Sequence, residues 1–436
     1  MTNTTSALNN PKVENAWCMY DWANSVYSLV ITSALFPVYY QAVTTSTGGN
    51  DQVQFLGFTI TNSVLYSYAL SFSFLIITPL LPLLSGVADY VGNKKAFMRF
   101  FCYLGGLACM GMYFFHANTL EWGILCVILA SIGYSGSLVF YDAFLPEIVS
   151  QDQFNRVSAK GYSMGYYGGV VLLVINLILI MNYTAFHFAS EGDATRFSFL
   201  MVGIWWIGFA QIPLAKLPDS RKNEGKGKFL HGYEELAKVW KALSSNPDLK
   251  KYILAYFFFN MGVQTVMYMA ATFGSKELAL EDSKLIATVL IIQLVAAVGA
   301  HVFARVSVRI GDRPTLLGMI CFWILVCFAA YLTTTEVQFY FLATAVGLVM
   351  GGIQSLSRAT YSKLIPRDSI DYASYFSFFD CTFNLSIVAG TFSYGLAEHL
   401  TGSMRNGVLS IASFFVIGFI LLWQVKSTLI QKANHG

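Results

Sequence analysis

Charge is what this chain has least of: 12% of its 436 residues are Asp, Glu, Lys or Arg, against roughly a quarter in soluble globular domains. With 56% of residues hydrophobic, the chain is built to dissolve in lipid. Other absences narrow the chemistry. No His-Glu-x-x-His helix, phosphate-cradling glycine loop or Gly-x-Ser-x-Gly elbow occurs, so soluble-type catalysis finds no anchor and no enzyme activity is expected. The seven cysteines (Cys18, Cys102, Cys109, Cys126, Cys321, Cys327 and Cys381) lie in or beside apolar runs without metal-like pair spacing, and the six histidines are scattered. They read as small buried hydrophobes, with no metal and no cofactor. The first fifteen residues lack the basic start, short apolar core and cleavage site of a removable signal, so the first span is expected to stay in the mature protein.

Long apolar runs are what the chain does have. A bilayer core of about 30 Å takes roughly 20 helical residues. Runs of that kind lie at 20–43, 58–85, 97–115, 121–145, 162–184, 196–216, 251–273, 284–304, 314–334, 337–357, 372–397 and 406–426. The expectation is an all-α integral membrane protein with twelve transmembrane helices. When the loops are numbered alternately, all of the 27 Lys and Arg except Arg196, Lys276, Lys284 and Arg405 fall in one set. That is the positive-inside pattern, and it places both termini in the cytoplasm. The net charge of +3 then speaks of topology and lipid headgroups, with no nucleic-acid partner.

The stretch 217–249, with Pro218, Gly225 and Gly227, breaks the apolar pattern and divides the chain into six-helix halves, 1–216 and 250–436. Within it Leu236, Val239, Trp240 and Leu243 recur at helical spacing against Glu234, Glu235, Lys238 and Lys241. A helix lying on the membrane surface and a solvated charged linker both fit. The halves echo one another at a shift of about 220 residues, as in transporters built by duplication. Gly92 after span 2 aligns with Gly311 after span 8, and Leu145-Pro146-Glu147 with Ile365-Pro366-Arg367.

The turn Ser85-Gly86-Val87-Ala88-Asp89-Tyr90-Val91-Gly92-Asn93-Lys94-Lys95 resembles the cytoplasmic signature of the major facilitator superfamily. The resemblance implies a gate that latches the cytoplasmic side, carried by Gly86, Asp89, Gly92, Lys94 and Lys95, with Gly311, Asp312 and Arg313 as the second-half copy. Ser85, Tyr90 and Asn93 depart from that signature. Tyr20-Asp21-Trp22-Ala23-Asn24-Ser25-Val26-Tyr27-Ser28 followed by Phe36-Pro37, Phe140-Tyr141-Asp142-Ala143-Phe144-Leu145-Pro146-Glu147-Ile148, and Gly351-Gly352-Ile353-Gln354-Ser355-Leu356-Ser357-Arg358 are similar to segments of the vacuolar amino-acid effluxer-like family. This resemblance runs from span 1 to span 12. It implies a secondary transporter, acting as a monomer in a bacterial plasma membrane, that exports amino acids or related small metabolites by alternating access. A transporter of a sugar, peptide or lipid-like solute, and a non-transporting sensor of the same fold, are the rivals.

Polar groups kept in a bilayer usually face the bundle interior or a watery cavity. Asp21, Asn24, Ser28 and Thr32 stand at i, i+3, i+7 and i+11 and give span 1 one polar stripe, a candidate wall of the substrate path. Interhelical hydrogen bonding is the other reading. Asn260, Gln264 and Tyr268 of span 7 form a matching stripe, expected to meet the first at the axis between the halves. Asp380, about 12 Å into span 11, is the candidate proton-coupling residue, because a carboxyl at that depth can exchange a proton as access alternates. Asn384 lies one turn on, within reach of Asp380 or a substrate. Gln354 and Arg358 share a face near the end of span 10, where Arg358 is either a carboxylate contact or an inside-positive anchor. Asp142 and Glu147 carry latch or salt-bridge duty by default. Span 4 lacks the arginine of many proton-coupled superfamily members, and span 5 the proline of antiporters. Gly161, Gly165 and Gly169 of span 5 allow a neighbouring helix to pack closely.

Overall fold

A chain dissolved in hydrocarbon must satisfy its backbone within each segment, which leaves helices for runs of this length. The computed structural model describes residues 8–45, 52–219, 230–278, 280, 282–366, 371–401 and 404–426. In chain order the elements are α1 (Pro11–Val26), which runs through a wider π-helical stretch (Tyr27–Leu35) into α2 (Phe36–Thr44); a hairpin of β1 (Gln52–Phe55) and β2 (Phe58–Thr61); then α3 (Asn62–Val91), α4 (Lys94–Gly111), α5 (Leu120–Asp142), α6 (Leu145–Ile148), α7 (Phe154–Met181) and α8 (Glu191–Lys216). There follow α9 (Leu230–Ser245), α10 (Pro247–Leu278), α11 (Asp282–Ile310), α12 (Asp312–Leu332), α13 (Glu336–Leu364), α14 (Tyr372–Thr401) and α15 (Met404–Trp423). Eleven helical stretches among the described residues are long and apolar enough to cross a membrane. Outside that set lie the short α9 and the long α14, 30 residues, which has buried Ser374, Ser377, Asp380, Asn384 and Ser386 along it.

Several boundaries differ from the sequence expectation for identifiable reasons. The first helix begins at Pro11 because the Asn10 side chain caps it, accepting from the Lys12 N–H, and Pro sits where the helix needs no donor. Residues 58–61 form a strand: Leu56 and Gly57, with φ of 50° and 86°, make the tight turn of an antiparallel hairpin. In the π stretch Thr32 Oγ1 and Ser33 Oγ reach the carbonyls five residues back, on Tyr27 and Ser28. Just beyond it Pro37 opens α2, and proline withholds a backbone donor from the preceding turn. The wider turn ends the α-helical register on which the stripe from Asp21 to Thr32 was read.

Gly92 and Gly311, aligned in the sequence, both adopt positive φ, 66° and 93°. Each lets the chain leave one helix and start the next without a loop. The packing between the first six spans and the last six is exchanged in the same sense: α7 lies on α11 and α13, while α14 lies on α3 and α5. Within the first half α1 packs tightly on α7, and the glycines of α7 are why. A Cβ at Gly165 would stand 2.4 Å from Ser25 Oγ, and one at Gly169 would stand 2.9 Å from Leu29 Cδ2. In the linker α9 packs on α3 and α14, burying Val239 and setting the Trp240 ring 5.5 Å from that of Phe378 at an interplanar angle of 38°. Residues 220–229 of the linker lie outside the described residues, as does Arg367 of the second aligned proline motif.

Candidate functional site

Asp89 ends α3 facing the start of α14, whose first backbone N–H groups have no partner inside their own helix. Its Oδ2 accepts from Ser374 N at 2.7 Å and its Oδ1 from Ala373 N at 3.3 Å. Lys94, buried at the start of α4, bridges Asp89 Oδ1 at 3.1 Å and Glu147 Oε1 at 2.5 Å. The equivalent place in the second half is built from Asp312. It accepts from Asn155 Nδ2 at 2.6 Å and pairs with Lys363 Nζ at 2.7 Å, and Asn155 comes from the start of α7. At both places a buried carboxylate ties a helix-connecting turn to the first turn of a helix from the other half. Gly86 and Gly92 are buried in the first turn, and Lys95 pairs outward with the exposed Asp219 at 2.8 Å. Arg313 departs from its expected place in the gate. Its guanidinium donates to the carbonyls of Leu422 and Trp423 and lies over the Trp423 ring, capping α15 in its own half.

The most tightly built cluster lies between these two turns. Arg358 on α13 is 1% exposed. Its Nη1 donates to Asp142 Oδ1 at 2.9 Å, its Nη2 to Asp21 Oδ2 at 3.3 Å and to the Ser158 carbonyl at 3.1 Å, and its Nε to Ser158 Oγ at 3.0 Å. Tyr141 donates its hydroxyl to Asp21 Oδ2 at 2.7 Å, and Trp17 stacks on the Tyr141 ring at 4.5 Å. This corrects the surface-anchor reading of Arg358: an anchor needs water around its head, and this head has none. It also draws Asp21 into this cluster, with Oδ2 accepting from both Tyr141 and Arg358. Gln354, one turn back, accepts from Tyr166 OH at 2.6 Å across the same interface. Ser158 Oγ donates to the Ser355 carbonyl and Ser163 Oγ to that of Ala297, each at 2.8 Å.

Deeper in the bundle the polar groups are buried but poorly matched. Asn24, Asp380 and Asn384 are 1%, 8% and 2% exposed. Asn24 Nδ2, Asp380 Oδ2 and Asn384 Nδ2 have no hydrogen-bond partner within the protein. Asp380 lies within electrostatic reach of Asp142 and Arg358, and of the Tyr256 and Tyr361 hydroxyls. Asn260 donates to Ser386 Oγ at 2.6 Å, and Gln264 donates to Asn260 Oδ1 at 3.3 Å. Asn260 and Gln264 of the span 7 stripe therefore turn toward α14 of their own half. In a medium with no water to compete, the nearest acceptor wins. Ser28 is half-buried and donates to the Ser25 carbonyl. Tyr268 does lie between the halves, within electrostatic reach of Tyr27, Tyr66 and Tyr134. Tyr27, Tyr66 and Tyr134, with Tyr162 and Ser158, are residues of this polar zone that the sequence reading did not single out. The available signal was the pair of carboxylates and the arginine at similar depth in spans 1, 4 and 10. An apolar cavity of about 60 Å³ lined by Val266, Phe273, Ile292, Phe339 and Ile411 lies wholly within the second half, away from this polar zone. Among the described residues no His, Cys, Asp and Glu group is arranged to hold a metal.

Comparison with known proteins agrees with this geometry. The family model described as vacuole effluxer Atg22 like matches residues 9–429. YxiO of Bacillus subtilis (strain 168), an uncharacterised MFS-type transporter, is 31% identical over 94% of each chain. Autophagy-related protein 22-1 of Aspergillus terreus is 22% identical, over 87% of this chain and 77% of its own. Among solved structures the proton:xylose symporter XylE superposes with a TM-score of 0.73 at 12% identity, over 98% of this chain and 97% of its own. The transporter FucP in its outward conformation superposes with a TM-score of 0.69 at 14% identity, over 96% of this chain and 99% of its own. The chain is a multi-pass membrane transporter of the major facilitator fold, and it belongs to the Atg22-like vacuole effluxer family.

Proposed function

We propose that this transporter exports amino acids or related small zwitterionic metabolites by alternating access, driven by proton exchange at Asp380, with both termini in the cytoplasm of a bacterial cell and the monomer as the working unit. The observation that carries the reading is the contrast in hydrogen bonding along the bundle axis. The basic end is shut by cross-half bonds in which every buried carboxylate, at Asp89, Asp312, Asp21 and Asp142, is paired, and the atoms left over there are Asn155 Oδ1 and the Ser357 and Ser374 hydroxyls; at mid-depth a carboxyl oxygen, Asp380 Oδ2, is left over with Asn24 Nδ2 and Asn384 Nδ2. Leaving a buried donor or acceptor unsatisfied costs about 1–3 kcal/mol, so such groups are retained where a ligand satisfies them. Amide donors suit a carboxylate, and a carboxylate suits an ammonium group or a proton. Asp380 stands within electrostatic reach of Arg358 and Asp142, so a proton gained or lost there acts on the gate cluster. The description of the family as effluxers supports the direction.

Uptake of a panel of amino acids into proteoliposomes under an imposed pH gradient tests the reading. Accumulation of at least one of them is expected, and Asp380→Asn should abolish accumulation while sparing counterflow, because the amide mimics a permanently protonated acid. Full gradient-driven accumulation by Asp380→Asn refutes the coupling role. For orientation, a cysteine at exposed Asn93 should react only with reagents admitted to the cell, and one at exposed Asn118 from outside. The reverse labelling refutes it.

A further inference from the structure

Everything that holds the Arg358 guanidinium comes from the first six spans: Asp21 and Trp17 on α1, Asp142 and Tyr141 on α5, Ser158 and Tyr162 on α7. The second half supplies only the cation. The guanidinium carbon sits 4.2 Å from the Tyr162 ring centre, 4.7 Å from that of Trp17 and 5.5 Å from that of Tyr141, a box of π faces of the kind that attracts cations. Its edge meets two carboxylates and a carbonyl, acceptors that match the planar donor fork of a guanidinium. Gly161 keeps the recess open. A Cβ there would stand 2.5 Å from Asp21 Oδ2 and 3.1 Å from Arg358 Nη2. One guanidinium also faces two carboxyl groups, so the recess offers a cation two acidic partners.

Alternating access requires α13 to move away from α1, α5 and α7, and the recess stays behind with the first half. Its walls do not depend on Arg358, because α1 is locked to α7 through the glycine contacts and Tyr141 is held by Trp17, whose Nε1 donates to the Tyr141 carbonyl at 2.9 Å. Two desolvated carboxylates without a cation are costly. We propose that this recess is a binding site for guanidinium and amine cations, that Arg358 is its occupant in the present conformation, and that cationic cargo takes the place of Arg358 when the halves part. The inference rests on the transporter reading and narrows its cargo to molecules with a cationic head in addition to any zwitterion, with arginine, lysine and agmatine as the simplest probes.

The test uses the full chain purified in detergent. Agmatine should raise the thermal denaturation midpoint of Arg358→Ala, with a half-effect concentration at least about tenfold below that of leucine, the fold-change expected of one desolvated charge pair. It should lose this effect in Arg358→Ala combined with Asp142→Asn. Arg358→Gln, which keeps most of the side-chain volume and drops the charge, replaces the alanine variant if that one does not accumulate. Equal protection by leucine, or protection that survives Asp142→Asn, overturns the site. In proteoliposomes of the unaltered protein, arginine and agmatine should compete with amino-acid uptake. Vesicles that take up leucine without competition from either refute the cation site and leave the transporter reading standing. Vesicles that take up no amino acid, with agmatine still protecting Arg358→Ala, refute the amino-acid cargo and keep the site.

Discussion

The basic end of the bundle and its middle are made of the same residue types, Asp, Asn, Ser and Tyr, yet they treat them in opposite ways. At the basic end a buried carboxylate always has a cation or a backbone N–H: Asp89 has Lys94 and the start of α14, Asp312 has Lys363 and Asn155, and Asp21 and Asp142 share Arg358. At mid-depth Asp380, Asn24 and Asn384 each keep one atom without a partner. Paired carboxylates favour one arrangement of the helices, so on the proposed reading the basic end is a lock. An unpaired carboxyl beside two unpartnered carboxamides leaves room for a ligand, so on the same reading the middle is a receptor. Substitutions at the lock should therefore move stability and conformational balance, while those in the middle should move transport and leave stability nearly unchanged.

The largest effect is expected at Arg358. Removing one partner of a buried ion pair costs about 3–5 kcal/mol, because the remaining charge stays in low dielectric. Arg358→Ala leaves two such carboxylates and should lower the denaturation midpoint in detergent accordingly. Adding Asp21→Asn and Asp142→Asn should restore a large part of the loss by taking the stranded charges away. A midpoint in Arg358→Ala equal to that of the unaltered protein would mean that the cluster is solvated and that the basic end is no lock.

A smaller effect belongs to Asp89→Asn. The amide keeps the volume and one acceptor but surrenders the charge that meets Lys94 and the α14 N–H groups, a loss of about 1–3 kcal/mol. The closed basic end should lose occupancy. Ser355→Cys, buried under α7 at 2% exposure, should then react faster with maleimide in the Asp89→Asn background, and turnover per molecule should fall. Unchanged labelling and turnover would leave Asp89 a helix cap with no part in gating.

How far the sequence could anticipate this contrast depends on the range of the interaction. The apolar runs, the cation asymmetry and the paired Gly92 and Gly311 are local signals, and the helices and the two positive-φ turns lie where those signals put them. Pro37 suggests a kink in the first helix, but the π stretch from Tyr27 and the hairpin at Gln52–Thr61 lie outside what an α-helical period from Asp21 to Thr32 and an apolar run from 58 can show. The ion cluster was beyond local reasoning. Asp142 and Asp21 lie 216 and 337 residues from Arg358, and no spacing rule connects spans 1, 4 and 10. Asp380 and Asn384 were found because depth in a helix can be counted from its charged end. The bond from Asn260 to Ser386 was not legible, because a stripe shows which face is polar but not which neighbour that face meets.

The smallest effect on stability, and the sharpest on function, is expected at Asn384. Its Nδ2 has no partner to lose, so Asn384→Ala removes no hydrogen bond from that atom and trades a buried polar group for a small apolar one. The net change in stability should be small, because relief of an unpartnered buried donor, about 1–3 kcal/mol, is offset by the side-chain contacts the truncation removes. Transport should nonetheless fail, because the donor the cargo needs has gone. If the cargo loses affinity, the half-saturation constant for uptake should rise while the denaturation midpoint holds, the opposite of the pattern at Arg358. Denaturation midpoints and uptake curves measured on the same preparation decide the matter. A variant that is destabilised as strongly as Arg358→Ala, or one that transports with unchanged half-saturation, would erase the distinction between lock and receptor.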